Sequence, residues 1–296
     1  MLLFRAKHIA RLKTLQAGVQ FRNRMSSACI VVIADEVLNG KIVDTNSTFF
    51  AKYCYGLGIP LKEIVTIGDD ESQIVGTLQR VRKQYDFIVT SGGIGPTHDD
   101  ITYEAVAKSY GLPVELNTEC QERMRRLSNP EARHSAAALR DHYRMATLPT
   151  GENVRNYYVA DDLWVPVCSI DGQVFVLPGI PQLFERMLRE LEPVVRATFW
   201  PGAGARAPFR RFFVTTPRME TDASSFLRVL QEEAVQLGKD VKIGSYPHFG
   251  MGFNTVSITG SAADEAYLRE LVERTIAALD GKEVSEEDER KFSDAR

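Results

Sequence analysis

Only four cysteines, Cys29, Cys54, Cys120 and Cys168, occur in the 296 residues, and no two of them form a C-x-x-C pair. That scarcity argues against a structural zinc site and a disulfide framework, and it suits a reduced compartment where the thiols act as small buried hydrophobes. Apolar runs approaching the ~18 residues of a membrane span are also missing, so no transmembrane helix is expected. Carboxylates are absent before Asp35, whereas residues 1–24 hold Arg5, Lys7, Arg11, Lys13, Arg22 and Arg24. The formal net charge of −3 therefore becomes −9 once these six cations are set aside. A body that acidic is poorly suited to non-specific nucleic-acid binding, so neither nucleic acid nor membrane is expected as a partner.

Within the basic segment, Leu12, Leu15 and Val19 recur at helical spacing, as in an amphipathic mitochondrial presequence. Two other readings stand beside it. Met25-Ser26-Ser27 directly precedes the first core strand and could be the translation start, or residues 1–24 form a disordered basic tail. The expected location is mitochondrial if residues 1–24 are translated, and otherwise cytoplasmic.

With 44% hydrophobic and 25% charged residues, the chain has material for one large or two smaller domains. Ser27–Ala34 is a continuous apolar run, the pattern of a strand buried on both faces. Asp44 or Thr45 can cap a helix through Tyr55, ended by Gly56 and Gly58. Leu61–Ile67 reads as the second strand. Asp70 with Gln73 three residues later opens a helix to about Tyr85. Phe87–Ser91 is the third strand, and the helix from Thr102 stops at Gly111. Alternation at these lengths predicts an α/β fold: a mostly parallel sheet between helical layers.

Residues 117–150 read as a helical excursion. Leu163–Ile170 and Gln173–Leu177 flank Asp171-Gly172, a two-residue hairpin signal. Ile180 through Val195 present a clean helical face. A linker is expected at 200–209. Beyond it, strand 210–216, helix 221–237, strands near 241–245 and 254–260, and helix 264–279 give a small β-α-β-β-α layer. The domain reading is thus a basic segment 1–24, a nucleotide domain 25–199, a small α+β domain 210–281 and a solvated polar tail 282–296.

The chemistry concentrates in Gly92-Gly93-Ile94-Gly95-Pro96-Thr97-His98-Asp99-Asp100-Ile101-Thr102. Closely spaced glycines let backbone N–H groups turn toward an anion, and a helix N-terminus near Asp100–Thr102 points at the same place. Asp99 and Asp100 stand on the rim. Like charges about 4 Å apart repel by roughly 4 kcal/mol at an effective dielectric near 20. A phosphate ligand here therefore requires a bridging cation or a protonated carboxyl. The stretch reads as a nucleotide or pterin-phosphate site served by a divalent metal.

This loop closely resembles the phosphate loop of the molybdopterin-binding (MoaB/MogA-like) domain. Further stations resemble that family in order: Ala34-Asp35-Glu36-Val37-Leu38-Asn39-Gly40, with alanine where the family has glycine; Asp44-Thr45-Asn46; Gly68-Asp69-Asp70; Pro178-Gly179-Ile180-Pro181; and Gly244-Ser245-Tyr246-Pro247. The set covers roughly residues 28–281 and looks most like the N-terminal part of CinA proteins and of eukaryotic FAD synthase. The resemblance implies a dimer or trimer. It also implies metal-assisted cleavage of a nucleotide pyrophosphate such as FAD or ADP-ribose. Because the chain holds neither an amidase domain nor a PAPS-reductase-like domain, deamidation of nicotinamide mononucleotide and synthesis of FAD are not expected of it.

In open parallel sheets, ligands sit beyond the carboxyl ends of the strands. Asp35 and Glu36 follow the first strand, Asp69 and Asp70 the second, and the glycine loop the third, so all three meet at one edge. Asp69 and Asp100 are expected as catalytic acids, matching the functional acids of the molybdopterin enzymes. With Asp35 and Glu36 they supply hard oxygens for Mg²⁺, Mn²⁺ or Co²⁺, a monovalent cation being the second expected ion. Backbone N–H groups of Gly92, Gly93 and Gly95 are expected on phosphate, with Pro96, Thr97, Asp99, Thr102 and Asn46 completing the ligand contacts. Structural alternatives remain open: Asp70 and Thr102 as helix N-caps, Asn46 as a cap, and Ser245 and Tyr246 as a turn. His98 is a ligand, a proton donor or a solvated side chain, and His134, His142 and His248 have no assigned partner. Two other function classes compete: a binding or adenylyl-transfer step of molybdenum cofactor synthesis, and a non-catalytic nucleotide-binding module, which Ala34 would suit.

Overall fold

The computed structural model describes residues 27–200 and 206–294. The basic segment 1–24 and residues 201–205 of the expected linker lie outside the described residues. The chain divides into two compact units, residues 1–54 with 59–205 and residues 55–58 with 206–296.

The larger unit is built on a six-stranded sheet of order β2-β1-β3-β8-β7-β6. Its strands are Ala28–Ile33 (β1), Leu61–Ile67 (β2), Phe87–Ser91 (β3), Val154–Tyr157 (β6), Val167–Ile170 (β7) and Val174–Leu177 (β8). The first three and β8 run parallel, and β7 is antiparallel to both its neighbours. Every residue of β1 and β3 is buried, as the apolar run of β1 and the Phe87–Val89 start of β3 require of central strands. Phe87 centres the core, its ring 5.4 Å from those of Phe50 and Phe175. Burying one such ring stabilises the fold by about 1.5–3 kcal/mol.

The crossovers are Asp35–Leu38 (α1), Asn46–Leu57 (α2), Glu71–Val81 (α3) and Thr102–Tyr110 (α4). Of the two caps expected for α2, Asp44 is used: its Oδ1 accepts the Ser47 N–H at 2.9 Å. That helix continues through Gly56 to Leu57 instead of ending at Tyr55. Asp70 caps α3, accepting from Gln73 N at 2.9 Å and Ser72 Oγ at 2.5 Å. These bonds hold its carboxyl below the ordinary range, so its structural reading stands over a catalytic one. Gln73 Oε1 reaches Gly68 N at 3.3 Å and so ties the helix start to the end of β2.

The excursion departs from the helical expectation at its ends. Val114–Leu116 (β4) and Thr147–Pro149 (β5) pair antiparallel around helices Thr118–Ser128 (α5) and Ala136–Arg144 (α6). Three-residue strands, one ending on proline, are too short to show a period. Likewise β7 begins at Val167 and not at Leu163, because Pro166 has no N–H for the ladder. The hairpin signal is met by Asp171 (φ 56°) and Gly172 (φ 62°), the two left-handed residues of a type I′ turn. Pro181 then starts the long helix Pro181–Phe199 (α7) at its first turn.

The smaller unit is an antiparallel sheet of order β10-β11-β9-β12, from Phe209–Thr216 (β9), Lys242–His248 (β10), Phe253–Ser261 (β11) and Lys282–Val284 (β12). Helices Glu220–Gln236 (α8) and Glu265–Leu279 (α9) bury Leu230, Leu268 and Leu271 with Val256 and Ile258. Two expectations are corrected here. Ser245 and Tyr246 lie on β10, not in a turn. The solvated tail expected over 282–296 is not found at residues 282–294: β12 pairs with β9, and Glu286–Asp294 (α10) follows it. The apolar signal is the single Phe292, whose ring packs 5.1 Å from Phe253 and 5.8 Å from His248. The buried His248 bonds Thr255 Oγ1 through Nε2 at 2.7 Å, a structural role.

No described helix is long and apolar enough to cross a membrane. All four cysteines are buried and free. Burial pushes the Cys29, Cys120 and Cys168 thiols up to about 12, which keeps them unreactive.

Candidate functional site

Parallel pairing of β1, β2, β3 and β8 sends the segments after Ile33, Ile67, Ser91 and Leu177 to one sheet edge. Gly92 is the keystone. Its φ is 111°, and a Cβ there would fall 2.2 Å from Ile33 O. Gly179 closes the other side, its own Cβ position lying 3.2 Å from Gly92 Cα. The Gly92 N–H donates to Leu177 O at 3.2 Å, which corrects its assignment to phosphate: that donor is already used by the sheet. Gly93 (φ 64°) and Gly95 keep their N–H groups without an acceptor among the described residues, so the anion donors move one residue along.

Thr102 is the first residue of α4, not its cap; its Oγ1 donates to Gly92 O at 3.0 Å and its N–H to Gly93 O at 2.9 Å. The helix start carries no side-chain cap, and the one acid in its first turn, Glu104, is paired with Arg144, so its dipole end still bears on the loop. Pro96, Thr97, His98 and Asp99 form the exposed rim. Asn46 is buried; its Nδ2 donates to Ser91 Oγ at 2.8 Å and Gly179 O at 2.9 Å. This is a brace between strand ends and not a helix cap, and it leaves Asn46 Oδ1 buried and without a partner.

The carboxylates sort into two groups. Asp69 Oδ2 accepts the Asp35 N–H at 3.1 Å, and Asp69 Oδ1 lies 3.4 Å from where a Gly93 Cβ would stand. Asp35 Oδ1 covers Gly68 in the same way, at 2.5 Å. Burial raises the Asp69 carboxyl above its ordinary 3.8, the Asp35 N–H bond opposes this, and the charges of Asp35, Glu36 and Asp99 raise it further. Asp35 is thus joined to Asp69 directly, while Glu36 and Asp99 bear on it through their charges.

Asp100 instead folds onto the loop. Its Oδ2 accepts from Thr97 N at 2.9 Å and Thr97 Oγ1 at 2.5 Å, and lies 2.5 Å from the Gly95 Cβ position. Among the described residues no group of three or more His, Cys, Asp or Glu is gathered for a metal ion. Asp35, Glu36, Asp69 and Asp100 thus do not form the expected shared ligand set. The donors still fit Mg²⁺, which characteristically takes one or two carboxylates together with substrate phosphates. Ala34, the departure from the family glycine, sits at φ −169°, extended backbone that any residue adopts, so the substitution strains nothing.

Sequence reasoning missed Arg144. From the last turn of α6 it donates Nη1 to Thr97 O and Nη2 to Asp100 O, both at 2.9 Å, and pairs Glu104 through Nε at 3.3 Å. Nothing in its spacing points to a loop more than forty residues upstream. Two charge-assisted bonds contribute about 1.5–3 kcal/mol each at most. Arg144→Ala should speed amide exchange at residues 97–100 and lower the melting temperature. Arg144→Lys should not restore either, because an ammonium does not span two carbonyls as the planar fork does. Full rescue by lysine would refute the clamp.

The chain belongs to the family of molybdopterin-binding domains: the model described as "Probable molybdopterin binding domain" matches residues 29–197. Among curated relatives it is 30% identical over 250 residues to a "Probable FAD synthase" of Caenorhabditis elegans, covering 79% of this chain and 46% of that protein. It is 34% identical over 175 residues to a CinA-like protein of Myxococcus xanthus, covering 57% of this chain and 40% of the relative. The crystal structure of CinA from Thermoplasma acidophilum shares the fold, at 24% identity and TM-score 0.51, over 57% of this chain and 98% of that one. The chain spans about half the length of the curated relatives it matches first. Relatives named FAD synthase overturn the expectation that FAD synthesis is foreign to this polypeptide. That exclusion rested on chain length alone.

Proposed function

We propose that this edge binds a nucleotide pyrophosphate, of the FAD or ADP-ribose class, and catalyses its metal-assisted hydrolysis. The observation that carries the reading is Asp69, held by the Asp35 N–H through one oxygen while the other stands beside Gly93. The N–H groups of Gly93 and Gly95 hold non-bridging phosphate oxygens, helped by the uncapped start of α4. Asp69, with Asp35 or Glu36 beside it, would hold a divalent ion, which would supply charge neutralisation for the diphosphate and a more acidic water. Asp69, through the oxygen that stands beside Gly93, takes the proton as the water oxygen bonds to phosphorus and the bridging P–O bond breaks. Two phosphate monoesters leave, AMP among them. Asp100 shapes the loop through Thr97, and Arg144 fixes both carbonyls.

The test is chromatography after incubation with FAD and with ADP-ribose, with Mg²⁺, Mn²⁺ or Co²⁺ and with chelator. AMP should appear only with metal. The same chromatograms, run with FMN and ATP, read FAD synthesis. Pterin binding without turnover of any dinucleotide would instead favour a cofactor-synthesis role, for which the family match gives the independent support.

A further inference from the structure

Away from the glycine loop, the segment between α5 and α6 brings two imidazoles together. His134 follows the turn Pro130–Ala132, its N–H donating to Pro130 O at 3.0 Å. Ser135 caps α6, and His142 lies in that helix's last turn. The two ring centroids are 5.1 Å apart with an interplanar angle of 34°. His142 Nε2 is buried and has no hydrogen-bond partner, and the Trp164 and Tyr143 rings lie 6.3 and 6.1 Å from the His142 ring. The neighbouring carboxylate, Glu131, is engaged by Arg125 Nε and Tyr143 OH.

Leaving a buried imidazole nitrogen without a partner is costly. The group that takes lone pairs from two neutral imidazoles at once is a cation. An ion held at ~2.0–2.1 Å by one nitrogen of each ring, at a tetrahedral angle, sets the centroids about 5 Å apart. We propose that His134 and His142 form a two-imidazole site for a borderline divalent cation of the Zn²⁺, Ni²⁺ or Cu²⁺ class, with water in the remaining positions. No third His, Cys, Asp or Glu completes a cluster among the described residues, so the site is open. Its nitrogen donors select against Mg²⁺, which the carboxylate edge prefers. Burial, with the nearby His134, lowers the His142 pKa and keeps its lone pair free at neutral pH. Arg144 lies two residues further along α6, so an ion joining residues 134 and 142 also steadies the helix that carries the loop clamp.

The test titrates the metal-stripped full chain with Ni²⁺ by fluorescence and with Zn²⁺ by calorimetry. The chain holds two tryptophans, so a Trp200→Phe background leaves Trp164 as the reporter beside the site. Saturable quenching by one ion per chain is expected, unaffected by excess Mg²⁺ and by Asp69→Asn, and weakening in acid as protons compete for the ring nitrogens. It should vanish in His142→Gln and in His134→Ala. His134 is exposed, so the second variant keeps the fold, as circular dichroism will verify. Saturation unchanged in His134→Ala, or quenching that Mg²⁺ reverses or Asp69→Asn removes, overturns the proposal.

Discussion

Asp69→Asn should lower metal-dependent AMP release from FAD or ADP-ribose by about 10²–10⁴-fold, while making the fold more stable at pH 7. The two effects share one cause. Burial first, then the charges of Asp35, Glu36 and Asp99, raise the Asp69 pKa in the folded state above 3.8. Between 3.8 and the raised value the native state binds more protons than the unfolded chain, so stability falls as pH rises through that window. Above it the ionised carboxylate is a constant liability, and asparagine removes the charge while its Oδ1 still accepts the Asp35 N–H. Urea unfolding should therefore place the variant above the wild type at pH 7. The gap should close below pH 3.8, where both side chains are neutral. A variant that loses activity and stability together would show that Asp69 is a structural acid.

Gly92→Ala should be the most destabilising single change in the loop. A Cβ would stand 2.2 Å from Ile33 O at a φ of 111°, and Ile33 is sheet backbone that cannot step aside. The clash and the forbidden backbone together should cost about 4 kcal/mol or more, lowering the melting temperature by roughly 10 °C. Gly93→Ala makes the informative contrast. Its Cβ would meet the Thr102 side-chain Oγ1 at 2.3 Å, where a rotamer change gives relief. That variant should fold yet bind diphosphate poorly, because the methyl comes within 3.4 Å of Asp69 Oδ1 and crowds the acid beside the cradle. Scanning calorimetry with nucleotide titration separates the two outcomes. If Gly92→Ala melts within about a degree of the wild type, the keystone argument is wrong.

Much of the larger unit was legible because its strands are buried on both faces. Runs such as Ala28–Ile33 and Phe87–Val89 admit no polar interruption, and the turn residues at Asp171-Gly172 name their own geometry. The convergence of the acidic loops followed from parallel order alone. What stayed hidden was long-range. Gly92 reads like its fellow glycines until Leu177 takes its N–H, and Asp100 reads like Asp69 until Thr97 folds onto it. Arg144 is one basic residue among many in an excursion rich in them, and only tertiary folding sets its fork on two loop carbonyls. The final strand and helix were lost because charge dominates residues 282–294 and a single aromatic, Phe292, does the packing.

The most direct measurement is anomalous diffraction at the manganese edge from crystals soaked with Mn²⁺ and a non-hydrolysable ADP-ribose analogue. A manganese peak touching the Asp69 carboxylate and the diphosphate, with phosphate oxygens on the Gly93 and Gly95 N–H groups, is the predicted result. Analogue bound elsewhere, or seated on the loop with no metal at Asp69, would contradict it.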